Sequence, residues 1–148
     1  MRYLRVVVAV AILFCSCAKL AVAQAAGTLT VARLYAGADG VSHIEQINLK
    51  LSSVPGAPAG LQESEPVSMK NAYVVRVGPG YFEGWHNADE RRYIATISGR
   101  AEVEVTGGQK LVLQPGQLAL AEDLTGKGHT FRVVGDSEWV ALFVNMEK

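Results

Sequence analysis

Cysteine is almost absent from this 148-residue chain: the two that occur, Cys15 and Cys17, both sit in its first turns of sequence. That segment reads as an export signal. Arg2 and Arg5 precede an apolar run from Val6 to Phe14, and Ala21-Val22-Ala23 supplies the small-x-small pattern of a cleavage site. Removal of residues 1–23 is expected, with a periplasmic or secreted product. The remaining chain would hold no thiol, which excludes a disulfide framework, a cysteine nucleophile and a thiolate zinc site. The apolar run falls short of the roughly 20 residues that span a bilayer core, so no stable membrane anchor is expected after processing. Phe14-Cys15-Ser16 is a poor approach to an acylated Cys17.

An excess of positive charge is also missing. The whole chain has 14 Lys and Arg against 14 Asp and Glu; without Arg2, Arg5 and Lys19 the balance is 11 − 14 = −3. A nucleic-acid partner, which needs a basic stripe, is therefore not expected. There is no Gly-x-Ser-x-Gly elbow, no Asn-x-Ser/Thr sequon and no amphipathic helix of ordinary length. Gly78-Pro-Gly80 lacks the strand-to-helix context of a dinucleotide loop and counts as a turn, so no organic cofactor is expected.

What the chain does have is strands. Short β-branched or alternating runs cover Thr28–Tyr35, Ile44–Leu51, Ala72–Val77, Tyr93–Ile97, Ala101–Val105, Lys110–Leu113, Gln117–Ala121, Phe131–Val134 and Trp139–Val144. Ser98-Gly99, Gly107-Gly108, Pro115-Gly116 and Gly135-Asp136 separate them, at about the 8–12-residue spacing of an antiparallel sandwich or barrel. Ser52 to Pro66, with three prolines, reads as a long loop that wraps the barrel or covers its mouth. A mature chain of about 125 residues suits one domain with one core. Its 24–71 part supplies an N-terminal arm, strands and the long loop, and 72–146 the barrel proper.

Two Gly-anchored segments end in histidine: Gly80-Tyr-Phe-Glu-Gly-Trp-His86, and Pro115-Gly116 running to Glu122-Asp-Leu-Thr-Gly126-Lys-Gly128-His129. With the strand layout, they resemble the two motifs of the cupin superfamily, and the second resembles that of small bacterial cupins with a Glu-Asp-x-Thr-Gly-x-Gly-His signature. The first family motif runs Gly, five residues, His-x-His, three or four residues, Glu, six residues, Gly. This chain keeps Gly80, His86 and Gly99 but has Ala88 at the second His position and Arg92 at the Glu position. The resemblance covers about Ala72 to Val144. It implies an all-β, jelly-roll cupin barrel whose interior binds a small molecule.

Two readings of the site follow. In the first, a divalent metal (Fe, Mn, Ni or Zn) is held by His86 and His129, with Glu122 or Asp123 completing the set and Asp89 or Glu90 as further candidates, for oxygenase or isomerase-type chemistry. Glu122 and Asp123 have an ordinary alternative as turn-capping residues. In the second reading there is no metal, and the barrel is a binding module for an anionic molecule. If Arg92 keeps the inward direction of the family's Glu, period-two alternation turns Ile94 and Thr96 inward as well, and a guanidinium fork stands ready for a carboxylate or phosphate. A one-residue slip would instead expose Arg92. Tyr81, Phe82 and Trp85 either line an aromatic pocket beside His86 or plug the barrel end. His43, at a strand start, is a surface or hydrogen-bonding residue, or else a metal ligand or proton shuttle of the site. Tyr93, Ala95 and Ile97 would form an outward apolar strip, best covered by a second subunit or by the N-terminal strands, and a homodimer is expected.

Overall fold

The protein is described here by a computed structural model covering residues 27–147. The expected signal segment, with Cys15 and Cys17, lies outside the described residues. Twelve strands and no helix occur among them: β1 (Thr28–Ala36), β2 (Ser42–Lys50), β3 (Ser52–Ser53), β4 (Gln62–Glu63), β5 (Met69–Val77), β6 (Phe82–His86), β7 (Arg92–Ser98), β8 (Ala101–Val105), β9 (Lys110–Leu113), β10 (Leu118–Glu122), β11 (His129–Val133) and β12 (Trp139–Met146). Nine of these match the expected runs to within a few residues. The additions are β6, which carries the first histidine, and the pair β3 and β4 inside the long loop.

A six-stranded sheet, ordered β2-β1-β10-β7-β12-β5, faces a four-stranded one, ordered β6-β11-β8-β9. All pairs are antiparallel except β1 with β10. The alternating strands put one face of each sheet inward. Leu34, Val103, Val105, Leu113, Val133 and Trp139 meet between the sheets, and Ala101, Ala119 and Ala141 allow close approach where two backbones converge. Full burial of each large aliphatic or aromatic side chain contributes roughly 1.5–3 kcal/mol. This is the sandwich or barrel that the strand spacing predicts, in the jelly-roll form that the resemblance implies.

The outer face of the six-stranded sheet carries a second apolar cluster of Val31, Leu120 and Met146, against which Ile47, Leu49, Tyr93 and Leu118 pack. The strip expected around Tyr93 is thus one part of a wider apolar face to which β1 and β2 contribute. Residues 52–66 form a small exposed hairpin on the pair β3 and β4, and none of them lines the central cavity.

Candidate functional site

Strand register settles which side chains look inward. On β7, Arg92 pairs with Ala121 and Ile94 with Ala119, while on the other side Ile94 pairs with Phe143. All of these line a cavity of about 570 Å³, within the range of small-molecule sites. Arg92 is only 7% exposed, whereas its neighbour Arg91 is exposed on the opposite face. The inward Arg92 register therefore holds in the structure. Its guanidinium lies 5.0 Å over the Phe143 ring and donates to the Glu90 carbonyl at 3.2 Å and to the Tyr73 hydroxyl at 3.4 Å. The carboxylate within ion-pair range is Asp89, at 3.7 Å, and that side chain is 92% exposed.

The two histidines come together across paired strands. His86 on β6 is the register partner of His129 on β11, with ring centroids 4.4 Å apart. Between Glu83–Phe131 and His86–His129 the register shifts, so β6 spends three steps where β11 spends two. This bulge at Gly84-Trp85 brings both Glu83 and His86 to the cavity wall, which strict alternation forbids. His86 Nδ1 donates to the Gly84 carbonyl at 2.7 Å, and its Nε2 lies 3.7 Å from Glu83 Oε2. Gly128 makes the approach of the two strands possible. Its φ is +72°, and a Cβ there would stand 2.0 Å from the His86 carbonyl oxygen.

Behind His129 stands Asp123, completely buried. His129 Nδ1 donates to Asp123 Oδ2 at 2.6 Å, and the Ser42 hydroxyl donates to the same oxygen at 2.9 Å. Asp123 Oδ1 is buried without a hydrogen-bond partner. The fold brings these groups together through β1: Ala36 pairs with Ser42, and Tyr35 pairs with Glu122, so Asp123 follows beside Ala36. A carboxylate only accepts hydrogen bonds, so Nδ1 of a neutral His129 carries the proton and Nε2, on the far side of the ring, is the bare acceptor. The backbone of Asp123 also anchors the loop after β6: its carbonyl accepts from Asn87 Nδ2 at 3.1 Å and from the Ala88 amide at 3.3 Å.

Other expected site residues are placed elsewhere. Glu122, adjacent to Asp123, alternates to the outer face, where it accepts from Arg33 Nε at 2.5 Å and from Arg91 Nε. Burial pushes its carboxyl up, but the two arginines outweigh this and hold it below the ordinary carboxylate range. Glu90 pairs with Lys70. Thr96 is buried, but its hydroxyl accepts from Trp139 Nε1 at 3.3 Å, and Trp139, not Thr96, reaches the cavity. Trp85 is 56% exposed at the bulge and Phe82 63% exposed, and neither lines the cavity. Tyr81 does line it, with its ring against Phe131. His43 points to the outer side, with Nε2 3.0 Å from Asp39 and its ring 5.5 Å from that of Tyr35. Ser42 and Glu83 join the site without any motif to announce them.

The metal reading can be tested on the donor set. Each imidazole has its Nδ1 held by an oxygen acceptor, the arrangement that orients metal-ligating histidines. The carboxylate beside the pair is Glu83, 3.7 Å from His86 Nε2 on the same cavity wall, but no three His, Cys, Asp or Glu side chains are gathered around one point as a metal requires among the described residues. Glu122 is turned away, Asp123 is occupied by His129 and Ser42, and the motif's carboxylate position holds the cation Arg92. His86, His129 and Glu83 supply the donor types of the two-His, one-carboxylate face that open divalent sites use, but as placed they are not gathered into it.

Two facing sheets around a cavity, with histidines paired at its wall, define the class of fold: a jelly-roll barrel. No protein-family model and no curated protein matches the chain. Among solved structures it is similar to the DMSP lyase DddQ from Ruegeria pomeroyi DSS-3, at 25% identity and a TM-score of 0.43, over 52% of this chain and 38% of that one. It is also similar to a cupin 2 conserved barrel domain protein from Salinispora arenicola, at 19% identity and a TM-score of 0.42, over 67% and 76% of the two chains. The cupin domain of Cnp3 from Schizosaccharomyces pombe aligns over 82% of this chain and 85% of its own, at 14% identity and a TM-score of 0.45. The aligned part thus spans well under half of the lyase.

Proposed function

We propose that the barrel binds a small organic anion, a carboxylate or phosphate compound, with Arg92 as its anchor and His86 and His129 as polar partners. The observation that carries this reading is the state of Arg92. A guanidinium cannot be neutralised, and burying one costs several kcal/mol unless an anion compensates it. Here a 7% exposed Arg92 faces a cavity and meets two neutral acceptors and one solvent-exposed carboxylate at 3.7 Å. Its remaining N–H donors suit the two oxygens of a ligand's carboxylate. The apolar remainder of the wall, with Ile94, Val103, Phe131 and Phe143, fits a short hydrocarbon portion.

The test is a calorimetric binding screen of small carboxylic acids, 2-oxo acids and phosphate esters against the parent and Arg92→Gln. Micromolar to millimolar binding of at least one acid, lost in the variant, supports the reading. Binding that ignores the substitution removes it. A metal-dependent site is the second reading, favoured by the two oriented imidazoles, and its signature would be stoichiometric metal that disappears in both His86→Ala and His129→Ala.

A further inference from the structure

We infer that His129 is a catalytic base, held in one tautomer by the buried pair Ser42 and Asp123, and that it moves the enolisable proton of a small 2-oxo acid. The inference rests on the anion site proposed above and adds a reaction to it. A fully buried carboxylate that bonds a cavity-wall imidazole at 2.6 Å, and is itself gripped at 2.9 Å by a buried serine, does three things. It keeps the proton on Nδ1, presents the bare Nε2 on the opposite side of the ring, and supplies the negative charge that stabilises an imidazolium once Nε2 has taken a proton. A surface histidine needs none of this. Leaving Asp123 Oδ1 buried without a partner costs stability, which fits a carboxylate kept for His129 rather than for folding.

Substrate class follows from chemistry. Arg92 holds a carboxylate, and an imidazole is too weak a base to ionise a C–H bond beside a carboxylate alone. A ketone next to the reacting carbon supplies the missing acidity, which selects a 2-oxo acid. In the step, the C3–H bond breaks, its proton goes to His129 Nε2, and its electron pair forms the C2=C3 bond while the carbonyl oxygen becomes an enolate. Arg92 offsets the growing charge on the oxygen side. Return of a proton from His129 to C3 restores the ketone, and its delivery to oxygen gives the enol, so the reaction is a keto–enol interconversion without oxidant or co-reactant. His129 is the catalytic residue, and Ser42 and Asp123 are positioning residues.

The experiment follows 2-oxobutyrate in D2O by proton NMR, with its affinity measured separately by calorimetry. The full protein should speed loss of the C3 proton signal over buffer in a saturable way. His129→Ala should lower that rate about 100-fold or more, the scale of general-base catalysis. Asp123→Asn and Ser42→Ala should lower the rate at saturation by at least about 10-fold with little change in affinity, since they act on the base and not on the anchor. Because Asp123→Asn could fail to fold, 15N spectra of the parent give an independent readout: His129 must carry its proton on Nδ1. Arg92-dependent binding without exchange, or an Nε2–H tautomer in the parent, overturns this inference and leaves the anion site standing. Failure of 2-oxobutyrate to bind while other acids do overturns the assigned substrate class. Absence of any Arg92-dependent acid binding sinks both.

Discussion

Replacing Arg92 by Gln separates a ligand anchor from a structural cation, because the two roles predict opposite effects on different quantities. Truncating one partner of a buried, hydrogen-bonded charge pair costs about 2–5 kcal/mol of binding. The lower part of that range applies here, since the Arg92 side chain retains contacts to Tyr73 and the Glu90 carbonyl and the cavity is open at its mouth. About 2–4 kcal/mol corresponds to a loss of roughly 30-fold to 1000-fold in affinity for a small carboxylate. Arg92→Lys should fall between the parent and Gln, keeping the charge without the planar fork. Stability of the ligand-free protein should behave differently. The parent carries a desolvated cation whose ion-pair partner, Asp89, is almost fully in water, so removing the charge leaves the melting temperature unchanged or raises it. Calorimetry supplies the affinities and thermal unfolding the stabilities. Unchanged affinity for every acid that the parent binds would refute the reasoning. So would a ligand-free variant destabilised by more than about 2 kcal/mol, since that would make Arg92 a structural residue.

Four other outcomes are expected. Gly128→Ala forces a side chain into left-handed backbone, at about 1–2 kcal/mol, and drives its Cβ against the His86 carbonyl; urea unfolding should show at least that loss, and parent-like stability would mean the strands part freely. The Glu122 carboxyl is held below its ordinary value of 4.5 by Arg33 and Arg91. Its stabilisation is therefore full above the unfolded-state value and lost as pH falls through the lower folded one, so Glu122→Gln should flatten the acid limb of stability below the ordinary carboxylate value. Mass spectrometry of protein purified without chelators or a His tag should find well below one metal ion per chain, with acid binding indifferent to EDTA; stoichiometric metal lost in both histidine variants would return the site to the metal reading. The homodimer inferred from the apolar outer strip, where Ile97 is 56% exposed, should give twice the chain mass in light scattering, and a monomer at micromolar concentration would reject it.

What could be read before the fold was seen follows from which interactions are local. Period-two alternation is a property of a single strand, so it ties Arg92, Ile94 and Thr96 to one face, but which face looks inward rested on the resemblance and stayed open to a one-residue slip until the strand register was seen. The bulge was not legible, because one extra residue at Gly84-Trp85 reverses every facing beyond it and leaves no compositional mark other than a glycine. Glu83 therefore reached the cavity unannounced. Ser42 and Asp123 were separated by 81 residues, and they meet only because β1 lies antiparallel to β2 and parallel to β10. Adjacent acids at Glu122 and Asp123 looked equivalent as ligands. Their opposite fates, one on an outer ion-pair network and the other under His129, follow from Glu122 closing β10 on its outer face and Asp123 standing just beyond the strand end. The Gly-x-Gly-His spacing was visible from the start, but its reason, a carbonyl where a Cβ would be, belongs to tertiary packing.

The two histidines differ in the strength of what carries them. His129 rides on β11, which is paired on both sides by β6 and β8, and its ring is tied to a buried carboxylate. His86 rides on β6, an edge strand interrupted by its own bulge, and its ring is hydrogen-bonded to the carbonyl two residues before it, on the same edge strand. Local opening is cheapest where backbone pairing is single-sided and side chains are exposed. The cavity is thus built like a vice with one fixed jaw: the β6 side can give way to admit a molecule and settle back, while the geometry around Asp123 and His129 is left undisturbed.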